Sequence, residues 1–318
     1  MYRILSNLEQ RVFYTLEVYI YIYKMETRNV FLYWVGKEYK LISILRKLIY
    51  LHSTNGKGYK VNLITDVNIN EYVKVLPTYF NNMCPAHQAD FVRVNVICEY
   101  GGIWLDSDTL VLNSLDSLFD LIENKNGFFI KENNTNLSNG IFGSKPNTSL
   151  MIEWKFQMIK LLDIKQGKIG WTNIGGNMLQ YIYNKNNELY KDYNILNGLD
   201  NLYPVNWNNC VTEFIKKPYE NYKTIIREYQ PLIVLVNSVY KKIESMPELQ
   251  ILEGNMPINY FINKSFENMK VNKKLIFKNI YEKQLWNNHY QNIPLSVTGS
   301  SVKNTQEYSN IQTRFRMW

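Results

Sequence analysis

Cysteine is scarce in this sequence, which contains only Cys84, Cys98 and Cys210 and no Cys-x-x-Cys spacing. Small secreted domains that depend on disulfides carry dense and even cysteine sets, and cysteine-ligated zinc sites need closely spaced pairs. The composition therefore argues against both classes. It favours a reducing compartment, and we expect a cytoplasmic protein.

Long hydrophobic runs are also missing, because no segment reaches the roughly eighteen apolar residues of a membrane-spanning helix. The nearest is Val12 to Tyr23, which is short, contains Glu17 and lacks the small-residue cleavage site of a signal peptide. We predict no integral membrane segment. Residues 1–28 are expected to be an N-terminal helical extension, or to include sequence upstream of a start near Met25.

Blocks of Lys and Arg are absent, although the net charge is +8 from 36 basic and 28 acidic residues. A basic surface can attract nucleic acid, membranes or small anions. Because the basic residues are scattered and no nucleic-acid-binding signature appears, we predict no nucleic-acid partner. The charge is also compatible with a substrate that contains a diphosphate.

The familiar glycine-rich phosphate loops are missing too. Neither G-x-G-x-x-G nor G-x-x-x-x-G-K-[ST] follows the first predicted strand, which excludes the dinucleotide fingerprint and the P-loop. A calcium loop is excluded at Asp106 and Asp108, because the next positions that it requires hold Leu110 and Val111 instead of Asp or Asn and then Gly.

The composition is that of a globular chain, because 46% of the residues are apolar. A chain of 318 residues is also long enough to bury a full core. Its clearest pattern runs from Pro85 to Leu112. Apolar residues at helical spacing predict a helix that ends at Gly101-Gly102, and Ile103 to Leu105 predicts a buried strand. That strand ends in Asp106-Ser107-Asp108, so two carboxylates lie at its exposed end.

Two carboxylates at one strand end suit a hard divalent cation such as Mn²⁺ or Mg²⁺, which takes its remaining ligands from water and substrate phosphates. Asp90 and Arg93 share a face of the preceding helix that can point to the same strand end, and Arg offers a rigid fork for phosphate or sugar oxygens. The alternative that these residues have only a structural role stays open. An Asp-x-Asp triplet occurs by chance, and Asp and Arg one turn apart often form a solvated ion pair.

Upstream, the apolar spacing predicts a strand at 29–35, a helix at 38–52 and a strand at 59–65. This order predicts an α/β layer in which ligands bind beyond the carboxyl ends of the strands. Trp34 and Asp66 fall at such ends, as do the two aspartates. A Trp at a strand end is, taken alone, more often part of the core.

Together, Ala-Asp-x-x-Arg, a helix and Gly-Gly-Ile-Trp-Leu-Asp-x-Asp resemble the core of the sugar transferases that carry a DXD motif on a GT-A fold. The families concerned are glycosyltransferase family 32, its capsular polysaccharide and lactosylceramide galactosyltransferase relatives, and the large clostridial glucosylating toxins. The resemblance implies an α/β GT-A fold with a single Rossmann-like nucleotide-binding sheet flanked by helices. It also implies Mn²⁺ or Mg²⁺ as the cofactor.

Carried over by position, the resemblance implies that Asp106 and Asp108 bind the metal and the nucleotide, while Asp90 and Arg93 hold the sugar of the donor. Trp34 lies where the toxins stack a Trp on uracil, which favours UDP. The remaining residues expected to contact the nucleotide sugar are Asp66, Asn139, Gly140, Asn237 and Ser238.

Three segments further along the chain are also compared with these transferase families. Asn139-Gly140 resembles a small polar pair beside the donor sugar, although a plain turn is the alternative reading. Residues 203–207 resemble a family strand. Val234 stands where relatives have a metal-ligating His, so either Asn237 or Ser238 supplies an oxygen ligand, the metal keeps an extra water, or activity is weakened.

The implied reaction transfers a hexose from a nucleotide diphosphate sugar to a hydroxyl of a glycan or protein acceptor, with retention of anomeric configuration. We expect residues 29–262 to form the transferase domain and 263–318 to form a tail or a truncated second module. Two alternatives stay open. One is a nucleotide-sugar-binding protein with weakened catalysis, and the other is a structural partner in which helix and strand merely pack.

Overall fold

The computed structural model describes residues 28–132, 136–198, 202–205, 207–217, 230–235, 246–279 and 281. Residues 1–27 of the predicted extension at 1–28, the predicted contacts at Asn237 and Ser238, and residues 282–318 of the predicted tail at 263–318 lie outside these ranges. The strands are β1 (Asn29–Tyr33), β2 (Lys60–Ile64), β3 (Gly102–Leu105), β4 (Thr109–Val111), β5 (Gly127–Glu132), β6 (Asn136–Ser144), β7 (Tyr193–Asn197) and β8 (Leu232–Val234). The helices are α1 (Lys40–His52), α2 (Ile69–Tyr72), α3 (Pro85–Tyr100), α4 (Asp116–Asn124), α5 (Ser149–Lys165), α6 (Gly176–Lys185), α7 (Glu248–Glu253), α8 (Pro257–Met269) and α9 (Lys273–Ile276).

Six of these strands form one sheet in the order β2-β1-β3-β6-β5-β7. β1 pairs in parallel with β2 and β3, β5 pairs in parallel with β7, and β6 runs antiparallel to β3 and β5. Helix α1 lies between β1 and β2 in the chain, and α3 lies between β2 and β3, as parallel neighbours require. The predicted α/β fold, with one main sheet flanked by helices, is confirmed.

The core occupies both faces of this sheet, because successive side chains of a strand point in opposite directions. Phe31 and Trp104 belong to the apolar cluster that includes α3, α5 and α6. Val30 and Ile103, their neighbours in sequence, belong to a second cluster that includes α4. Helix packing on both faces leaves the strand ends as the place where ligands can approach.

Helix α3 carries Asp90 and Arg93 and is buried on nearly every side, which makes it a central helix. Pro85 starts the helix, where a missing N–H is tolerated. Gly101 ends it with a φ of 65°, which glycine adopts without strain. The chain then turns directly into β3, so the predicted helix, its glycine stop and the buried strand are confirmed.

The chain leaves the main sheet after Asp108. There β4 pairs antiparallel with β8 in a separate two-stranded sheet, with Thr109 opposite Val234. The Val234 side chain is buried in an apolar cluster. This residue, which stands in the position of the family's His, is therefore part of the core.

Two other segments differ from a sequence expectation. Asn139 and Gly140 lie inside β6, so the reading of this pair as a plain turn is wrong. The strand expected at residues 203–207 is also wrong, because Tyr203 to Val205 form no strand and Trp207–Asn209 is a 3₁₀ turn. Pro204 has no N–H to donate to a strand ladder, which disfavours a strand at this position.

The chain divides into two compact units, Met1–Lys273 and Lys274–Trp318. The predicted boundary between residues 262 and 263 falls inside α8, and the predicted domain limits stay a prediction. Across the ranges that the structure describes, no helix has both the length and the apolar character needed to cross a membrane. All three cysteines are free thiols, as the sparse set predicts.

Candidate active site

The carboxyl ends of β1, β2 and β3 meet at one edge of the sheet, because the three strands are parallel. Trp34 follows β1, and its N–H donates to the carbonyl of Ile64 at the end of β2 over 3.0 Å. The Ser107 hydroxyl donates to the carbonyl of Tyr33 over 3.0 Å. The Asp106–Asp108 segment is therefore fastened beside Trp34.

Asp106 is held in place by side chains of its own strand and of α3. The indole Nε1 of Trp104 donates to Asp106 Oδ1 over 2.8 Å, and Arg93 Nη2 lies 3.0 Å from the same oxygen. The backbone N–H of Asp106 donates to the carbonyl of Gly140 over 2.9 Å. The Asp106 side chain is still 33% exposed, so the carboxylate is fixed but reachable.

Arg93 joins the two carboxylates and β6. Its Nη1 donates to the carbonyl of Asn139, and its Nη2 lies 3.3 Å from Asp90 Oδ1. The guanidinium also lies over the Trp104 ring, with Cζ 5.0 Å from the ring centroid. The Arg93 and Asp90 side chains are only 6% and 9% exposed. The reading of Asp90 and Arg93 as a solvated ion pair is therefore wrong.

The electrostatics of the cluster follow from this burial. Burial raises the pKa of Asp90 to about 6, and the nearby charge of Asp106 also raises it, while Arg93 and the hydrogen bond from Asn139 lower it. Burial likewise raises the pKa of Asp106, against the lowering effects of Arg93 and Trp104. One buried guanidinium thus compensates two carboxylates.

Gly140 leaves room on the other side of Asp106. A Cβ placed on Gly140 would lie 2.8 Å from Asp106 Oδ2 and 2.8 Å from the hydroxyl oxygen of Tyr203. Both contacts that hold the Asp106 carboxylate, from Trp104 and Arg93, use Oδ1. Oδ2 therefore faces a small space that any larger residue at position 140 would fill.

Trp34 and Asp66 occupy the β1 and β2 side of the same edge. Trp34 is partly buried and meets the Tyr39 ring edge to face, with centroids 6.1 Å apart. Its Nε1 is buried and has no hydrogen-bond partner among the described residues. Asp66 is exposed. Burial, together with the Asp66 charge, raises the pKa of Tyr33 to about 12.

Asp108 lies where the main sheet and the two-stranded sheet meet. Its side chain is partly buried, and its carbonyl accepts a hydrogen bond of 3.2 Å from the N–H of Leu235, which follows β8. Residues 236–245 lie outside the described ranges, so the roles expected of Asn237 and Ser238 stay predictions.

The residues present fit a divalent cation held partly by substrate. Asp106 and Asp108 carry carboxylate oxygens of the hard type that such a cation prefers, and Asp106 Oδ2 faces the space beside Gly140. Within the described ranges, no group of three or more His, Cys, Asp or Glu side chains is arranged to hold a metal. A cation bound by one or two carboxylates, with water and phosphate oxygens as the other ligands, is the pattern of Mg²⁺ sites.

Three contacts of the cluster were not predicted from sequence, although Asn139 itself was expected beside the donor sugar. The Trp104 indole anchors Asp106, the Asn139 amide donates to Asp90, and the Tyr203 hydroxyl lies near Gly140. Trp104 sits within the motif, so its position was a usable signal. Asn139 and Tyr203 are distant in sequence, and only the resemblance pointed to their segments.

A comparison of the whole chain with solved structures matches, among others, three glycosyltransferases, all at low sequence identity. GlyE of Streptococcus pneumoniae TIGR4 is 13% identical with a TM-score of 0.44, over 81% of this chain and 64% of GlyE. A glycosyltransferase involved in glycosylation of the major capsid of PBCV-1 is 13% identical with a TM-score of 0.42, over 69% of this chain and 100% of that one. The galactosyltransferase LgtC is 8% identical with a TM-score of 0.37, over 77% of this chain and 98% of LgtC.

This chain thus spans 64% of the length of GlyE. No curated protein matches the sequence. A family model does match it, with the description capsular polysaccharide synthesis protein, over residues 2–166. The matched range includes β1 to β3, helix α3 and the whole Asp106–Asp108 segment. The chain therefore belongs to the capsular polysaccharide synthesis protein family.

Proposed function

We propose that this protein is a metal-dependent glycosyltransferase that moves a hexose from a nucleotide diphosphate sugar to a hydroxyl group of a glycan or protein acceptor. The observation that carries the proposal is the cluster of Asp90, Arg93, Asp106 and Asn139, which α3, β3 and β6 assemble at the carboxyl edge of the sheet. Family membership supports a role in polysaccharide synthesis. The cluster supports the proposed transfer of a sugar.

We assign each part of the nucleotide sugar to a part of the edge by following the order of the strands. Trp34, after β1, would stack on the base, which favours UDP, and Asp66, after β2, would contact the ribose side. Asp106 and Asp108, after β3, would hold Mn²⁺ or Mg²⁺ and the diphosphate. The residues assigned to the donor sugar are Asp90, Arg93, Asn139 and Gly140, and those assigned to complete the metal shell are Asn237 and Ser238.

Departure of the nucleotide diphosphate places negative charge at the β3 edge, and a divalent cation, when bound, supplies positive charge that stabilises it. Arg93 adds a buried and fixed positive charge at the same place. A charged group that is held in position before the reaction needs no reorganisation when the leaving group develops its charge. The Trp104 ring and the Asn139 carbonyl provide that positioning.

If the reaction retains the anomeric configuration, these residues fit front-face attack on the sugar better than a mechanism with a covalent enzyme intermediate. Asp106 and Asp108 are neighbours at one strand end, so they cannot flank a sugar from opposite sides as the paired carboxylates of glycosidases do. Asp90 is buried, and its Oδ1 is engaged by Asn139 and Arg93. We therefore assign Asp90 to holding the sugar rather than to attacking it.

The second candidate is a nucleotide-sugar-binding protein with weakened turnover. The observation in its favour is Val234, whose buried side chain occupies the position of the family's metal-ligating His. A valine supplies no ligand to a cation. Binding without turnover would then use the same edge of the sheet.

A thermal-shift panel tests the proposal. Nucleotide sugars are added with and without Mn²⁺, and a ligand present at a hundred times its dissociation constant should stabilise the fold by about 2.7 kcal/mol. The effective nucleotide sugar is then followed for Mn²⁺-dependent hydrolysis. Turnover supports the transferase, whereas stabilisation without turnover supports the binding protein.

Asp108→Asn provides the matched variant, because it keeps the shape of the side chain and removes its charge. We expect loss of the Mn²⁺-dependent part of the thermal shift. Asp120→Asn is the control, since Asp120 is 46% exposed on α4, where it pairs with the exposed Lys57. Equal shifts in the wild type and Asp108→Asn would overturn the metal assignment.

A further inference from the structure

A cavity that is separate from the candidate active site lies between helices α3 and α5. Its volume is about 380 Å³, which is within the usual range of small-molecule sites. Helix α3 lines it with Phe91, Asn95 and Glu99, which share one face because they are four residues apart. Asp90 and Arg93 do not line it, so this cavity is distinct from the cluster that they form.

The cavity is built from three segments that hydrogen bonds hold together. Helix α5 forms its second wall, and residues 72–79, which begin at the end of α2, cover it. The Tyr79 hydroxyl donates to Asp163 Oδ1 over 2.7 Å, which joins this cover to α5. The Tyr100 hydroxyl donates to the Tyr72 carbonyl over 3.3 Å, which joins the cover to α3. The cavity is therefore formed before any ligand binds.

Apolar side chains line much of this cavity. Val73 and Phe91 are buried, and Ile159 of α5 is partly buried. Val75 also lines the cavity and is 79% exposed, so apolar surface is open to water there. Because the removal of apolar surface from water is favourable, a ligand with an apolar body would gain free energy by entering.

The charged residues of the cavity lie toward its two ends. Lys155 and Asp163 are eight residues apart on α5, which corresponds to about 12 Å along the helix. Asp163 accepts the hydrogen bond from Tyr79, and Glu99 Oε1 lies 3.5 Å from Lys74 Nζ. The Lys155 side chain, in contrast, forms no ion pair or hydrogen bond within the part of the chain that the structure describes.

The Lys155 ammonium lies close enough to α3 to act on a thiol there. Burial raises the pKa of Cys98 on α3, and the positive charge of Lys155 opposes this rise. The Lys155 side chain is itself only partly exposed. Charges that are withdrawn from water are normally paired. The Lys155 end of the cavity therefore favours an anion, whereas the Asp163 end disfavours one.

We propose that this cavity binds a small amphipathic monocarboxylate of the fatty acid type, an inference that is independent of the proposed transferase function. The carboxylate would pair with Lys155, and the apolar chain would lie along Ile159 and Val73. A second carboxylate at the far end of the chain would meet Asp163, so a dicarboxylate of equal length should bind less well. Because α3 also carries Asp90, the ligand would contact a helix of the candidate active site.

The first test measures binding of radiolabelled decanoate to the full chain by equilibrium dialysis. We expect saturable binding of about one molecule per chain. Decanedioate adds a carboxylate at the far end, and decylammonium reverses the charge of the head group. Each should compete with decanoate about tenfold less well than unlabelled decanoate does, because each loses or opposes a charge-assisted contact. Binding that does not saturate, or equal competition by either compound, would overturn the proposal.

The second test places the ligand in the cavity by substitution. Lys155→Gln removes the charge and should weaken decanoate binding by about tenfold. Lys160→Gln is the matched control, because Lys160 is exposed on the same helix and does not line the cavity. Equal decanoate affinity in the wild type and in Lys155→Gln would overturn the proposed recognition of the carboxylate.

Ile159→Glu provides a second variant, because it places a negative charge where the apolar chain would lie. Decanoate binding should be lost in this variant and retained in Ile164→Glu, whose site is 68% exposed on α5 outside the cavity. Urea unfolding establishes that each variant is folded, and the lysine pair decides the result if Ile159→Glu is not. Wild-type affinity in folded Ile159→Glu would place the ligand elsewhere. The assay contains no nucleotide sugar, so its failure would leave the proposed transferase function unaffected.

Discussion

The Asn139 side-chain amide donates a hydrogen bond of 2.6 Å to Asp90 Oδ1, which joins the centre of β6 to the middle of α3. The two residues are 49 positions apart in the chain. Because Arg93 contacts Asp90 and also the Asn139 carbonyl, this bond closes a small network around a buried charge. The network can be tested one member at a time.

Asn139→Ala should destabilise the fold by about 1–3 kcal/mol, because a buried carboxylate loses a hydrogen-bond donor. Urea unfolding at neutral pH measures the change. Asn194→Ala is the control on β7 of the same sheet, where the amide makes a 3.5 Å contact with the carbonyl of Gly127. Equal losses in both variants would show that the bond to Asp90 contributes nothing specific.

Arg93→Ala should cost about 3–5 kcal/mol of stability, because it leaves two carboxylates facing each other without their buried cation. Arg93→Lys should recover part of this stability but little of the nucleotide-sugar turnover, since an ammonium cannot reproduce the contacts of the planar guanidinium. Unfolding and turnover are measured on the same preparations. Arg46→Lys, at the pair with Glu38, is the control for a generic Arg to Lys effect. Full turnover in Arg93→Lys would contradict the assigned role.

Gly140→Ala should lower turnover by about a hundredfold while the protein remains folded, because a displacement of about 1 Å at reacting groups has effects of this size. The added methyl would press on Asp106 Oδ2 and on the Tyr203 hydroxyl. Wild-type turnover in Gly140→Ala would show that the space beside Asp106 is not used.

His52 should make stability depend on pH. Burial lowers its pKa from 6.5 to about 4, and its Nε2 lies 2.9 Å from the hydroxyl of Ser265, which donates to the Val111 carbonyl. The folded state therefore prefers neutral His52. Its contribution is fully present above pH 6.5 and is lost as the pH falls toward about 4, with about 2 kcal/mol lost at about pH 5.

The measurement is the urea midpoint of the wild type and of His52→Gln between about pH 7 and pH 5. Asp90 acts in the opposite direction, because its raised pKa of about 6 favours the folded state as the pH falls. The difference between the two proteins isolates His52. Parallel profiles for the wild type and His52→Gln would contradict the expected neutral histidine.

The sequence was sufficient to predict the local elements of the site. Helical spacing, Gly101-Gly102 and the apolar run before Asp106 are properties of neighbouring residues, and the structure has α3, its stop and β3 at these positions. The sequence also identified Asp90, Arg93 and Asp106 as charged groups that could meet, and the structure brings Arg93 into contact with both carboxylates. Parallel β1, β2 and β3 then bring the strand ends together.

Only the tertiary structure decided which residues complete the site. It placed Asn139 and Gly140 in β6 beside Asp106 and turned β4 away to pair with β8. Such contacts join segments that are distant in the chain, and each depends on the packing of the whole sheet and its helices. Local sequence determines which elements form, whereas the long-range packing free energy determines which side chains meet.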